Sequence, residues 1–335
     1  MALLTVDNLR TWFHTRDGVA RAVDGISFHV DPGEALGVVG ESGCGKSVTF
    51  LSLLGLLPSP PARVESGTAL FEGGDLLKAS PAELRRVRGR RIGMVFQDPM
   101  TALNPYMTVG AQVAEPLIVH GGLGRADARA QALEALEAVG LNDAAQRMDL
   151  HPHAFSGGMR QRVMIAMALV TRPPLLIADE PTTALDVTIQ AQILDQLREL
   201  QARGGMAVVL ITHDLGVVAS FCRRVLVMYA GHIVESAAVE DLFAAPLHPY
   251  TRALMASLPG TRPAGARLTP ITGRPPDPRR LPKGCAFAPR CPQAIPQCHQ
   301  SPPELKEHTP NHAAACYRAG EGSPESGVRS SLPEA

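Results

Sequence analysis

From the start of the chain to about residue 235, short apolar runs alternate with stretches whose apolar positions recur every three to four residues. The runs Leu36–Val39, Ile92–Phe96, Leu175–Ala178, Val208–Ile211 and Val225–Met228 predict strands covered on both faces, since none interleaves polar residues. Helical periodicity predicts Val48–Leu57 (stopped by Pro58), Ala128–Val139 (capped by Gly140), Met159–Val170, and Thr188–Gln201 (ended by Gly204-Gly205). Strands and helices in alternation predict a parallel α/β sheet with helices on both faces, binding ligands beyond the carboxyl ends of its strands. From Pro259 to Gly284 the periodicity gives way to Pro, Gly and Arg, which reads as a linker or extended connection. It carries Arg262, Arg267, Arg274, Arg279, Arg280 and Lys283 against Asp277, either a solvated stretch or a contact for an anionic surface. A cysteine-bearing segment follows, and Ala319–Ala335 has the composition of a disordered tail.

Composition narrows the class. The chain has 335 residues, enough for one large domain and a smaller one, and 45% of them are hydrophobic. Acidic and basic residues balance at 32 each, so there is no basic footprint for nucleic acid. The longest apolar run, Val163–Val170, is far short of a membrane span. With no export signal in the sequence, the expected compartment is reducing, and the six cysteines are poor disulfide candidates.

The strongest chemical signal is Gly40-Glu41-Ser42-Gly43-Cys44-Gly45-Lys46-Ser47, a complete G-x-x-x-x-G-K-[ST] pattern between a predicted strand and a helix opening at Val48. Backbone N–H groups of such a loop cradle phosphates, the lysine reaches the β- and γ-phosphates, and the serine hydroxyl meets Mg²⁺. Leu175-Leu176-Ile177-Ala178-Asp179 is a buried strand ending in a carboxylate suited to Mg²⁺ opposite Ser47. Glu180, one residue later, suits the polarisation of an attacking water. Ser156, Gly157 and Gly158 precede a helix and offer a second anion site, redundant for one nucleotide unless it closes over a partner chain's ATP.

With these residues in hand, the chain resembles the ABC-type ATPases. Phe155–Met159 is similar to their signature loop, Gln97 to the Q-loop glutamine, Ala184-Leu185-Asp186 to the D-loop and His213 to the switch histidine. The resemblance implies a phosphate-loop ATPase domain over residues 1–258, with a RecA-like core, an antiparallel β-subdomain and a helical subdomain. It implies two ATPs sandwiched between two ATPase subunits, with Lys46, Gln97, Glu180 and His213 catalytic and Asp186 at the interface. Mg²⁺ is then held through Ser47, Gln97 and Asp179. The adenine-stacking aromatic falls on Phe13, with Trp12 and His14 as rivals beside an insertion near Arg16-Asp17-Gly18.

His248-Pro249-Tyr250-Thr251-Arg252-Ala253-Leu254, with the Pro-rich and cysteine-bearing stretch after it, resembles ATPase subunits of dipeptide, oligopeptide and nickel importers. That branch implies two membrane permeases, a second and related ATPase, an extracytoplasmic binding protein, and a peripheral place on the cytoplasmic face of the inner membrane. A soluble ABC ATPase acting on nucleic acid or ribosomes is the rival. Only 58 residues separate Gln97 from Ser156, leaving no room for a long coiled-coil insertion. In the extension over residues 259–318, Cys285, Cys291, Cys298 and Cys316 suit a [4Fe–4S] cluster or a tetrahedral zinc, and free thiols remain a third option. No close Cys-x₂₋₄-Cys pair exists, and some dipeptide-importer relatives carry a cluster here, so the cluster is the leading expectation. His299, His308 and His312 are possible substitutes, whereas Cys44 and Cys222 are expected to have no chemical role, although alkylation of Cys44 would block ATP.

Overall fold

The computed structural model describes residues 1–181, 187–257 and 271–320. Among the described residues, twelve strands form two sheets. In chain order they are β1 (Leu4–Thr15), β2 (Gly18–Val30), β3 (Ala35–Val39), β4 (Ala62–Phe71), β5 (Gly74–Asp75) and β6 (Ile92–Val95), then β7 (Leu175–Asp179), β8 (Ala207–Thr212), β9 (Arg224–Tyr229), β10 (His232–Ala238), β11 (Lys306–Thr309) and β12 (His312–Ala314).

The smaller sheet, in the order β2-β1-β4-β5, is antiparallel. Leu4 and Val6, then Leu9 and Thr11, point inward along β1, and a register slip between Val6 and Leu9 keeps both pairs on the buried face. Arg16-Asp17, which reads as an insertion in the sequence, is the two-residue turn joining β1 to β2.

The larger sheet has the order β11-β12-β10-β9-β3-β8-β7-β6. Strands β9, β3, β8, β7 and β6 are parallel, as the alternation predicts. The remaining edge is antiparallel, an addition to the parallel core that the alternation predicts. The cause is local. Ala230-Gly231 is a two-residue connection with both φ values positive, and so short a turn can only reverse the chain.

The five predicted core strands occur with no boundary shifted by more than one residue. β6 ends before Phe96, which is 41% exposed. The helices run Lys46–Leu53, Arg125–Ala138, Gly157–Leu169 and Val187–Gly204. The first is shorter than its periodicity predicts, because the chain leaves the helix at Leu54 and turns at Gly55 rather than at Pro58.

Alternating side chains of the central strands feed two separate cores. Leu176, Ala178, Val208 and Leu210 pack with the helices around Gly157–Leu169. Leu175, Ile177, Val209 and Ile211 pack toward Phe50, Leu53 and the small antiparallel sheet. Each fully buried Leu, Ile or Val contributes about 1.5–3 kcal/mol, so the sheet is clamped from both faces and its carboxyl ends are a rigid platform.

The segment after residue 270 is not a separate body. β12 pairs with β10, and β11 with β12, so the larger sheet continues into the C-terminal region. The described part of the Pro-rich stretch lies against the cassette, with the Arg21 N–H donating to the Pro278 carbonyl.

Candidate nucleotide site

The phosphate loop leaves the buried end of β3 and opens the helix Lys46–Leu53. Gly40 (φ 154°) and Gly45 (φ 107°) have no substitute. A Cβ would lie 2.2 Å from the Met228 carbonyl at Gly40 and 2.3 Å from the Ala22 carbonyl at Gly45. Lys46, buried with 5% of the residue exposed, donates its ammonium to the carbonyls of Gly40 (2.7 Å) and Glu41 (3.2 Å), so it spans the loop that it closes.

Ser47 and Asp179 meet across the sheet: the Ser47 hydroxyl donates to Asp179 Oδ1 at 3.0 Å. Burial pushes the Asp179 carboxyl above its usual pKa, against the hydrogen bond from Ser47. A buried carboxylate beside a hydroxyl suits a hard divalent cation, which would offset that desolvation.

Glu180 stands where β7 ends, with φ at 47° and its N–H donating to the Ile211 carbonyl on the neighbouring strand. A non-glycine residue held in left-handed backbone is strained, and such strain clusters at functional positions. Gln97 Nε2 donates to Glu180 Oε2 at 3.0 Å, and His213 Nδ1 lies 3.4 Å from Glu180 Oε1. Two sequence-predicted residues, Gln97 after β6 and His213 after β8, thus converge on the Glu180 carboxylate at the end of β7.

Ser156 caps the helix Gly157–Leu169, its hydroxyl accepting the Met159 N–H at 3.4 Å, and it is exposed. Arg162, one turn further on and buried, fixes this helix by donating to the Val139 carbonyl and to Gln192 and Gln196. Asp186 lies outside the described residues. In β1, Phe13 is half-buried, whereas the Arg21 guanidinium sits 4.9 Å from the Trp12 ring and His14 Nε2 is 2.6 Å from Glu65 Oε1. Cys44 is buried, and burial raises its thiol pKa. Val48, the other residue of the loop's outlet, packs partly buried against the core beneath it.

A family description of ABC transporters matches residues 23–183, and one of the oligopeptide/dipeptide transporter C-terminal region matches residues 234–298. A probable peptide ABC transporter ATP-binding protein of Sinorhizobium fredii is 56% identical, over 95% of this chain and 96% of its own. The chain belongs to the ABC transporter family of ATP-binding proteins. Other relatives of this ABC ATPase include the oligopeptide transport ATP-binding protein OppD of Salmonella typhimurium, 50% identical over 94% of this chain and 93% of its own. Among solved structures, the ATP-binding cassette MJ0796, a dimer in a post-hydrolysis state with ADP and Pi, is 28% identical. It superposes with a TM-score of 0.64 over 70% of this chain and 98% of that one. The remaining residues are therefore those that set this ABC ATPase apart from a bare cassette.

Within that remainder, Cys285, Cys291, Cys298 and Cys316 line one pocket together with His248 and Phe287. Burial raises the thiol of Cys285 to about 11 and pushes those of Cys291 and Cys316 upward. Among the described residues no three His, Cys, Asp or Glu side chains stand close enough to share one metal ion. His312 is committed elsewhere, its Nε2 lying 2.7 Å from buried Glu235, so it is not a substitute ligand. His248 is a lining residue that sequence reasoning missed; its N–H donates to the buried Glu235 carboxylate at 2.9 Å.

Proposed function

We propose that the chain is the ATP-hydrolysing subunit of an importer for di- and oligopeptides. The observation that carries the reading is the convergence of Gln97 and His213 on Glu180, next to the Ser47–Asp179 pair. Glu180 polarises the attacking water, and Gln97 and His213 hold its carboxylate and report on the γ-phosphate. ATP lies on Gly40, Glu41, Ser42, Gly43, Cys44, Gly45, Lys46, Ser47 and Val48, with Phe13 against adenine. One face of Trp12 is covered by Arg21 and His14 is paired, which leaves Phe13 the better stacking surface. Mg²⁺ falls to Ser47, Asp179 and Gln97.

Ser156, Gly157, Gly158 and Asp186 serve the site of a second, related ATPase subunit, whose signature loop closes this one. Residues 1–258 form the cassette and 259–318 the extension. Peptide cargo rests on the names of the relatives and on the C-terminal family match. Two permeases, a binding protein and a peripheral place on the cytoplasmic face of the inner membrane go with that reading. No helix among the described residues is long and apolar enough to cross a membrane. Reconstituting the chain with its permeases and partner ATPase in vesicles tests this. ATP-dependent uptake of labelled peptide is expected, and ATP hydrolysis unaffected by any peptide-loaded binding protein would overturn the cargo assignment.

We also propose that the four extension cysteines hold a [4Fe–4S] cluster, with zinc or free thiols as the alternatives. The reading rests on their wide spacing in the sequence and on the pocket that all four line. Such a cluster would supply a redox-sensitive cross-link between the chain segments bearing the cysteines. Anaerobically purified protein is expected to contain iron and acid-labile sulfide; a sample with neither removes the cluster.

A further inference from the structure

Glu41 occupies the first free position of the phosphate loop, and three parts of the chain hold it. Its carbonyl accepts from Lys46. Its N–H donates to the Tyr250 hydroxyl at 2.8 Å, from the helix Pro249–Ala256. Its carboxylate takes a bidentate grip from Arg290, 249 residues away, with Nη1 to Oε2 at 2.6 Å and Nη2 to Oε1 at 3.0 Å.

The guanidinium is nearly closed off, with 4% of the side chain exposed. Its other donors are also placed: Nε to the Thr272 carbonyl (3.0 Å), Nη1 to the Tyr229 hydroxyl (3.2 Å) and Nη2 to the Ile271 carbonyl (3.5 Å). Phe287, in the same short turn, packs on Tyr229 and Tyr250 with ring centroids 5.3 and 5.4 Å away. A buried, fully engaged arginine fork fixes its partner's position and orientation as a lysine cannot.

We propose that Arg290 is a positioning residue for the ATP site, by which the C-terminal extension sets the phosphate loop in its binding conformation through Glu41. A loop built around three glycines has little conformational preference of its own. Ordering it from outside therefore lowers the entropy lost when it closes on phosphate. Arg290 touches no reacting atom and acts on ATP affinity rather than on the chemical step. The inference rests on the ATPase reading, and it does not depend on whether the cysteines next to it hold a cluster.

The test is steady-state ATP hydrolysis by the full chain assembled with its partner subunits. Arg290→Ala is expected to raise the KM for ATP about tenfold while kcat at saturation stays within about twofold. Arg290→Lys falls between, and adding Glu41→Ala to Arg290→Ala gives no further rise, because both delete one interaction. A merely structural arginine would lower kcat with the folded fraction and leave KM unchanged. That result, an unchanged KM, or additive effects of the two substitutions would overturn the proposal. If Arg290→Ala does not fold, Arg290→Lys carries the test: a raised KM with kcat little changed is expected, and an unchanged KM overturns the proposal. A wild-type complex that fails to hydrolyse ATP would instead overturn the ATPase reading.

Discussion

At the scale of single residues, Glu180 is the centre of the proposed chemistry, and the backbone aims it. Its φ of 47° turns the side chain between Gln97 and His213 instead of continuing the strand. Glu180→Gln preserves that shape and removes the charge, so ATP affinity is expected to hold while turnover falls by about 10²–10⁴-fold. Nucleotide titration together with phosphate release measures both, and near-normal turnover would sink the assignment. Gly45→Ala acts in the opposite order. Its Cβ meets the Ala22 carbonyl at 2.3 Å in a backbone region that alanine avoids, so the loop must deform and ATP binding is expected to be lost first. Cys44 bears on reactivity. Its alkylation would block ATP, but its burial and raised pKa keep it a protonated, shielded thiol near neutral pH. Site-resolved labelling with iodoacetamide should find Cys44 modified far more slowly in the folded chain than in urea; equal rates would contradict the buried placement.

At the scale of elements, much of the core was legible because both faces of its strands are covered. A strand such as Leu175–Asp179 shows up as an unbroken apolar run with a carboxylate at its end. β1 and β2 carry one buried face and a register slip, so their alternation breaks partway along and only the family resemblance pointed to them. β11 was illegible for another reason. Lys306–Thr309 is exposed at every position and is a strand only because β12 lies beside it. What seats β12 is also invisible in one dimension. Glu235 is fully buried, accepts from the N–H groups of Leu247 and His248, and pairs with His312. Glu235→Ala strips an acceptor from three groups at once and is expected to cost about 3–5 kcal/mol. His312→Ala removes one partner and should cost about 1–3 kcal/mol. Urea unfolding of both variants checks this ranking, and a His312→Ala cost equal to or above that of Glu235→Ala would contradict it.

At the scale of the whole molecule, the catalytic parts divide by their lateral place along the sheet. Lys46 follows β3, whereas the helix capped by Ser156 packs beside β6, three strands away. At about 4.8 Å between strands that is a separation of roughly 14 Å, far beyond a hydrogen bond. A signature serine on this chain therefore cannot complete the phosphate loop of the same chain without dismantling the sheet between them. On the proposed reading it serves a neighbour, and the neighbour's serine serves this loop. The isolated chain should accordingly bind ATP but turn it over slowly, and titrating in the partner ATPase should raise turnover to a plateau at one partner per chain. Ser156→Ala is expected to leave the ATP affinity of the isolated chain unchanged and to slow the assembled pair by about tenfold or more, since the serine acts only on a phosphate bound elsewhere. A dilute isolated chain that hydrolysed ATP at the assembled rate would mean that some group on this side of the sheet does the work assigned to the partner.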